Sequence, residues 1–426
     1  SLIKTVTNLV QVSERIESFD VEEKPKSYLE STLPNVQVIH AVVAILDSEN
    51  HVSKKKKSCG IKLSITLMVI VEDNPFVLGI RDTESVQEFQ KKLKNARRII
   101  VIGNGGIATE LVYEVEGCEV IWAIKDKSIS SAFVDAGAAQ FFLPSVNKEK
   151  TESRKPLKRH KYTEEDDISR PKNVTGGALG PDWSVNRDMV GNQQGSHKVH
   201  IEYSVEMANI FKLDEIKTND DWPVCVELTN GKIYGADFIV SATGVVPNSH
   251  QFSANNNFEI AEDGGIKVND KMETNVKDVF AAGDICSASW IPAPHWIQMR
   301  LWSQARQMGC YAAKSMVASL SNEDVTLDFC FELFTHMTKF FNYKVILLGK
   351  FNGQGLGEGQ EILLRFTEGV EYVKAIIQDG HLQGAVLIGE TDLEETFENL
   401  ILNKIDLTLF KDHLLDPNID IEDFFD

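Results

Sequence analysis

Three small residues at fixed spacing carry the first chemistry legible in the sequence: Gly103, Gly105 and Ala108, within RRIIVIGNGGIATELVYEVEGCEVIW, residues 97–122. They fill the small positions of a GxGxxG/A pattern, directly after an apolar run and directly before a helical pattern. The first glycine permits a tight turn, the second lets the backbone approach a pyrophosphate, and the third small residue lets the helix pack on the strand. A helix N-terminus offers unpaired N–H groups and the positive end of its dipole, so the chemistry implied is phosphate binding. A second apolar run, EVIWAI, follows in register and completes a strand–turn–helix–strand unit, which is more specific than a lone glycine motif. The competing reading is a doubly wound domain whose glycines serve only packing.

The end of that second strand reads Ile124-Lys125-Asp126-Lys127. An acidic residue there would hold the ribose 2′-OH of NAD. Ile124, in the expected ribose place, cannot hydrogen-bond, whereas Lys125 beside it could hold a 2′-phosphate. This inclines the reading towards NADPH, with solvated lysines as the alternative. Two further segments matter in combination. SATGVVPN (241–248) ends an apolar strand in a Thr243-Gly244 turn, and TNVKDVFAAGDI (274–285) is a short strand closing on Gly283-Asp284. A carboxylate just after a strand and a glycine can accept hydrogen bonds from a polyol such as ribitol. Taken alone, the Gly-Asp pair is an ordinary turn.

The elements that must position these residues follow from the pattern. An apolar-periodic helix (SVQEFQKKLKNA, 85–96) leads into the IIVIG strand, and strand signals return at KVHIEYSV, PVCVEL and ADFIVSATG. Residues 146–198 are polar, charged and rich in Gly and Pro, and read as a surface insertion. A long helix ends near Ser319. From about 325, strands (YKVILLGK, EILLRF, YVKAIIQ, GAVLIGE) alternate with a helix (LEETFENLILNKI), which predicts an antiparallel α+β domain before an acidic tail.

With 42% hydrophobic and 25% charged residues the composition is that of a globular chain. Its net charge of -19 argues against direct binding to nucleic acid or an anionic membrane. No run reaches the roughly 20 apolar residues a membrane span needs, and IKLSITLMVIV (61–71) reads as a buried strand. The first residues, SLIKTVTNLV, lack the pattern of a secretory signal. Six cysteines (Cys59, Cys118, Cys225, Cys286, Cys310, Cys330) include no CxxC or CxxxxC pair, which argues against a structural zinc site and a close-spaced dithiol relay. The plain reading is buried reduced thiols.

Together, GxGxxGxE, ATG and the T…GD segment, in this order and spacing, resemble the class-I pyridine nucleotide–disulfide oxidoreductase superfamily. The resemblance implies an α/β fold of two Rossmann-like dinucleotide-binding domains, for FAD and NAD(P), with a C-terminal α+β domain. The boundaries expected are 1–72 for a remnant of the FAD-binding domain, 73–248 for the NAD(P)-binding domain, 249–319 for the second FAD segment and 320–426 for the C-terminal domain. By the same resemblance Thr243 and Gly244 match the crossover out of the nucleotide domain, and Gly283-Asp284 the flavin-ribityl site. Glu110 matches the helix glutamate near the nicotinamide and flavin rings. Backbone N–H groups near Leu301 and Trp302, at the start of the long helix, match those facing the flavin C2 carbonyl. Trp296 and Trp302 either line the isoalloxazine pocket or belong to the core. Hydride would pass from nicotinamide C4 to flavin N5.

GIRDTES, EGCEVIWAIKDK, GALGPDW, QMRLWSQARQMG, THMTKFFNYKVILLGK and DPNIDIEDFFD sharpen the resemblance over nearly all of residues 73–426. This narrower likeness implies NAD(P)H oxidation in cellular redox balance and the oxidative-stress response, in nucleus, cytoplasm and muscle sarcomere. It also implies protection of the tRNA ligase complex from oxidative inactivation. The sequence departs from the superfamily in two places. No glycine fingerprint for the FAD pyrophosphate stands among residues 1–72, where HVSKKKKSCG fits a core strand poorly, so this polypeptide is expected to bind FAD weakly or not at all. No redox-active cysteine pair is present either, so electrons are expected to pass to oxygen, a quinone-like acceptor or a partner protein. The alternative of another class is a nucleotide-sensing interaction protein, with the basic stretch 148–162 as an import signal, an RNA contact or a solvated loop.

Overall fold

The structure is a computed structural model. It describes residues 31, 42–47, 52–56, 74–80, 83–147, 176–177, 180–181, 189–192, 197–212, 221–253 and 256–419. The strand expected at 61–71, the basic stretch 148–162, Cys59 and the end of the acidic tail lie outside these. The first elements are β1 (Val42–Asp47), β2 (Val52–Lys56), β3 (Val77–Gly79), α1 (Thr83–Leu93), β4 (Arg98–Ile102), α2 (Gly106–Glu114), β5 (Cys118–Ala123) and α3 (Ala136–Val146). Short β6 (Gly176–Gly177) and β7 (Gly180–Pro181) are followed by β8 (His197–Glu202), β9 (Met207–Lys212), β10 (Val224–Leu228), β11 (Ile233–Ala236) and β12 (Phe238–Ser241). Then come α4 (His250–Ser253), β13 (Ile266–Val268), β14 (Cys286–Ala288) and α5 (Trp302–Ser321). The last elements are β15 (Thr335–Phe340), β16 (Tyr343–Gly349), β17 (Glu361–Thr367), β18 (Glu371–Gln378), β19 (His381–Ile388) and α6 (Glu394–Leu402).

Contacts divide the chain into two units. One comprises Ser1–Met68, Val245–Ala293 and Gln298–Glu332; the other comprises Val69–Gly244, Pro294–Ile297 and Leu333–Asp426. Within the first, β1 and β2 pair antiparallel, so part of the lysine run is strand. β13 and β14 pair parallel, and α5 packs on the 3-10 turn Gly283–Ile285.

The second unit holds a five-stranded parallel sheet in the order β3-β12-β4-β5-β8. β4 is a continuous apolar run because both its faces are covered: Ile99, Ile100 and Val101 are fully buried. On one face the antiparallel meander β11-β10-β9 places Val224, Val226 and Leu228 against Ile100, Ile121 and Ile239. Glu202, ending β8, is tied to this meander. Lys232 Nζ donates to it at 2.7 Å, Asn230 at 3.1 Å, Tyr234 OH also donates, and His200 Nε2 lies 2.8 Å away. Burial alone would raise its pKa, but these partners bring it down to about 2. A depressed folded-state value gives stability that is present above the unfolded carboxylate range and fades as pH falls towards 2. Glu202→Gln is therefore expected to cost about 2 kcal/mol at pH 7. The gap to wild type should close in urea melts taken between about pH 4.5 and 2.

The C-terminal part of this unit is a five-stranded antiparallel sheet, order β15-β16-β19-β18-β17. α6 covers one face through Phe397, Leu400 and Ile401, packed on Val373, Ala375 and Leu387. The opposite face meets α2, α3 and the loop between β5 and α3. Phe141 lies 4.8 Å from the Tyr343 ring, and Phe133 lies 5.5 Å from Phe340. Asp135 joins the two layers. It caps α3 through Gly137 N (2.8 Å) and Ala138 N (3.0 Å), and accepts from Tyr372 OH and the buried Lys374 ammonium.

Candidate functional site

The glycine turn follows β4 directly. Gly103 has φ +129°, and a Cβ there would sit 2.1 Å from the Ala242 carbonyl oxygen, so no other residue fits without moving the backbone. Its N–H donates to Ala123 O (3.1 Å), and its carbonyl accepts from the Trp122 indole (2.7 Å). Gly105 is the N-cap of α2 and offers no side-chain cap. A Cβ added to Gly105 would meet nothing within 4 Å, so open space faces the helix N-terminus. Ala108 is fully buried, as close helix packing requires. Thr243 and Gly244 follow Ala242 at the end of β12; both are exposed, and Gly244 has φ +100°.

Asn104 locks this turn to the loop after β5. Its amide donates to Asp126 Oδ2 (2.7 Å), Ser128 O (2.9 Å) and Ser131 Oγ (2.9 Å), and its oxygen accepts from Ser130 N (2.5 Å). The Asn104 hydrogen bond, aided by Ser131, holds the Asp126 carboxyl below its usual range. Ile124, expected at the ribose place, is instead core: it is fully buried and its N–H bonds Glu202 O. The acid beside the turn is Asp126, with Lys125 exposed next to it.

Glu110 lies one turn into α2 and is 5% exposed. Thr338 of β15 donates to its Oε1 at 2.9 Å. Next to Glu110 in α2, the Thr109 hydroxyl lies 2.8 Å from Ser130 Oγ. His336, two residues before Thr338, is buried against Phe133, its Nε2 has no hydrogen-bond partner among the described residues, and desolvation lowers its pKa to about 4. A buried polar seam thus runs between α2 and the C-terminal sheet.

In the first unit, Gly283 (φ +79°) and Asp284 form the turn against which α5 starts; a Cβ on Gly283 would lie 3.4 Å from the Ala305 methyl. The half-buried Asp284 carboxylate accepts no hydrogen bond from a described residue, and burial raises its pKa against the pull of Arg300. Arg300 spans the turn, donating to Asp284 O (3.0 Å), Asp263 Oδ2 (2.8 Å) and Ser287 Oγ (3.3 Å). Leu301 N-caps α5 without a side-chain cap, and the N–H groups of Trp302 and Ser303 have no acceptor among the described residues. The Ser303 hydroxyl is buried without a hydrogen-bond partner among the described residues. An acceptor-only carboxylate beside unused N–H donors suits a ligand carrying both a polyol and a polar ring edge, so these residues fit a flavin with its ribityl chain. Trp302 is half-buried and Trp296 is 4% exposed. Cys286, two residues after Asp284, is buried, donates to Gly283 O (3.3 Å), and has its pKa pushed up by burial to about 12, the reverse of a reactive thiolate.

Residues 192–309 match the family described as pyridine nucleotide-disulphide oxidoreductase, and residues 335–405 match the rubredoxin NAD+ reductase C-terminal domain. Over its whole length the chain is 53% identical to the mouse "Pyridine nucleotide-disulfide oxidoreductase domain-containing protein 1", covering 92% of that protein. The Drosophila melanogaster protein of the same name is 43% identical, again over 100% of this chain and 92% of the other. The chain belongs to this family. Two solved structures share the two-dinucleotide-domain architecture of the pyridine nucleotide-disulfide oxidoreductases. A ferredoxin reductase from Rhodopseudomonas palustris superposes with TM-score 0.63 at 15% identity, over 94% of this chain and 84% of its own. Putidaredoxin reductase, in its covalent complex with putidaredoxin, gives 0.63 at 14% identity, over 95% and 84%. Among the described residues of this family member, no helix is long and apolar enough to cross a membrane.

Sequence reasoning passed over Asn104, Asp126, Arg300, Ser303 and Thr338. Asp126 carried a signal, being the acid nearest the expected ribose place. Ser303 and Arg300 stand in the helix start already singled out at Leu301 and Trp302. Asn104 and Thr338 had none, because their partners lie far away in sequence.

Proposed function

We propose that this chain is an FAD-dependent oxidoreductase of NAD(P)H that works without a cysteine pair. The observation that carries the reading is the half-buried Asp284 carboxylate, which accepts no hydrogen bond from a described residue, beside an uncapped helix N-terminus in a chain that also holds the Gly103–Gly105 turn. When bound, FAD supplies the two-electron acceptor for the nicotinamide hydride. The chain's own residues bind and orient. The α2 N-terminus takes the pyrophosphate of NAD(P)H, with Ala108 setting the packing of that helix and Thr243-Gly244 bordering the turn. Glu110, held by Thr338, stands one turn into the same helix and is assigned to the nicotinamide side of the site. Asp284 accepts from ribityl hydroxyls, and the N–H groups near Leu301 and Trp302 face the polar edge of the flavin.

The pyridine nucleotide preference turns on two adjacent side chains. The ionised Asp126 sits on the turn and favours a ribose 2′-OH, whereas the exposed Lys125 favours a 2′-phosphate. Asp126 is fixed and Lys125 is solvated, so NADH is expected to be preferred. Asp126→Ala should raise the NADH KM roughly tenfold and relax selectivity towards NADPH. Lys125→Ala should change the NADPH KM by only about two- to threefold. Initial rates with both nucleotides check this.

Oxidative-stress protection, including that of the tRNA ligase complex, and a cytoplasmic, nuclear and sarcomeric location extend the same proposal. The acceptor is oxygen, a quinone-like compound or a partner protein. Steady-state NADH and NADPH oxidation by the full chain at saturating FAD tests the enzymatic reading. Nucleotide binding without turnover would favour the nucleotide-sensing interaction protein instead.

A further inference from the structure

We propose that β17 is a docking edge for an extended segment of a partner protein, with apolar residues at alternate positions and a Lys or Arg at each end. β17 is the last strand of the C-terminal sheet, so every second residue turns its N–H and C=O away from β18. Sheet edges are usually blunted by a lysine, a proline, a bulge or a cover. Glu361–Thr367 holds neither lysine nor proline. Its register with β18 runs without a shift from Glu361 opposite Ile377 to Thr367 opposite Glu371. At the other end of the sheet, by contrast, β15 is met by β6 and α2.

The two faces of β17 differ. On one, Leu363 packs on the core, Arg365 donates to Glu371 and Leu415 O, and Lys411 holds Glu361 at 2.7 Å. On the other, Ile362, Leu364 and Phe366 are 59%, 55% and 52% exposed. Phe366 lies 5.9 Å from the Phe141 ring, so this stripe continues the aromatic layer past the cover of α3. An added strand would pair with the free backbone groups and set its own apolar side chains against the stripe. The contact from Ile362 to Phe366 spans roughly 14 Å, at about 3.4 Å per residue. Charge selects the occupant. Glu361 and Glu371 are paired within the chain, whereas Glu358 and Glu368, exposed at the two ends of the stripe, form no ion pair among the described residues. A second copy would set these carboxylates and a net charge of -19 against their like, while a basic-ended segment neutralises them.

The probe is a fluorescent peptide, Lys-Thr-Val-Thr-Val-Thr-Val-Thr-Lys, titrated by anisotropy into the full chain. One control carries Glu at both ends, and another has proline in place of the central valine. Wild type is expected to bind the Lys-ended peptide about tenfold more tightly than either control. Leu364→Lys puts a charge in the middle of the stripe and should weaken binding about tenfold or more. Leu364→Thr keeps a strand-forming residue and should weaken it about threefold, which decides the matter if Leu364→Lys melts lower than wild type. Glu358→Gln combined with Glu368→Gln should cost about three- to fivefold and flatten the salt dependence. NADH titration should be unchanged in all of these variants, because β17 lies outside the glycine turn. The proposal is overturned if both Leu364 variants bind the peptide as wild type does, or if the Glu-ended peptide binds equally well. It is also overturned if wild type binds no peptide; a wild-type dimer that Leu364→Lys splits in sedimentation would then assign the edge to a second copy.

Discussion

Replacing Asp284 by alanine is expected to weaken FAD binding roughly 30- to 100-fold, or about 2–3 kcal/mol. The carboxylate has been brought out of bulk water far enough for burial to raise its pKa, and no described residue donates to it. Such a group is costly in the apoprotein and repaid only by a donor-rich ligand. The same substitution should therefore leave the apoprotein as stable as wild type, or more so. Asp284→Asn should fall between the two, because an amide keeps one acceptor and loses the charge. Fluorescence titration with FAD, alongside thermal melting without it, separates these effects.

The second large effect lies in the glycine turn, where neighbouring glycines should respond in opposite ways. Gly103→Ala forces a Cβ to within 2.1 Å of a backbone oxygen at a φ of +129°. It should cost about 3 kcal/mol of stability or more, and remove NAD(P)H binding as a consequence of misfolding. Gly105→Ala places its methyl in open space at a φ of −88°. That variant should keep wild-type stability yet lose roughly 10- to 100-fold in NAD(P)H affinity, because the methyl stands where the pyrophosphate approaches. Urea unfolding reads the first difference and nucleotide titration the second. Equal stability losses in both variants would mean that the space before Gly105 serves packing rather than a ligand.

The contrast explains what was legible in the sequence. Gly103, Gly105 and Ala108 are required by local backbone geometry, and β4, α2 and β5 follow each other along the chain, so the whole unit reads directly. The Gly283-Asp284 turn, α5 and four strands of the C-terminal sheet read for the same reason, but the short strand expected over 274–285 does not form: Phe280 makes only an isolated bridge to Glu273, and Gly283–Ile285 is a 3-10 turn. β15 did not, because its inward-facing His336 and Thr338 are polar and break the apolar alternation that marks a strand. β9 escaped because its residues are largely exposed or only half-buried, leaving no apolar face to detect. Thr338 gains its meaning only from Glu110, a partner far away in the chain. Ile124, which the spacing put at the ribose place, is core: β5 carries its buried run through Ile124, and the first exposed side chain after it is Lys125. Motif spacing cannot show where burial ends.

The most direct test is anaerobic titration of the FAD-loaded full chain with NADH, followed in the visible flavin bands. One equivalent of NADH should bleach the oxidised flavin, and Cys286→Ser should bleach identically, since its thiol is buried and protonated. A flavin that stays oxidised while NADH demonstrably binds would contradict the assignment of this chain as an FAD-dependent oxidoreductase.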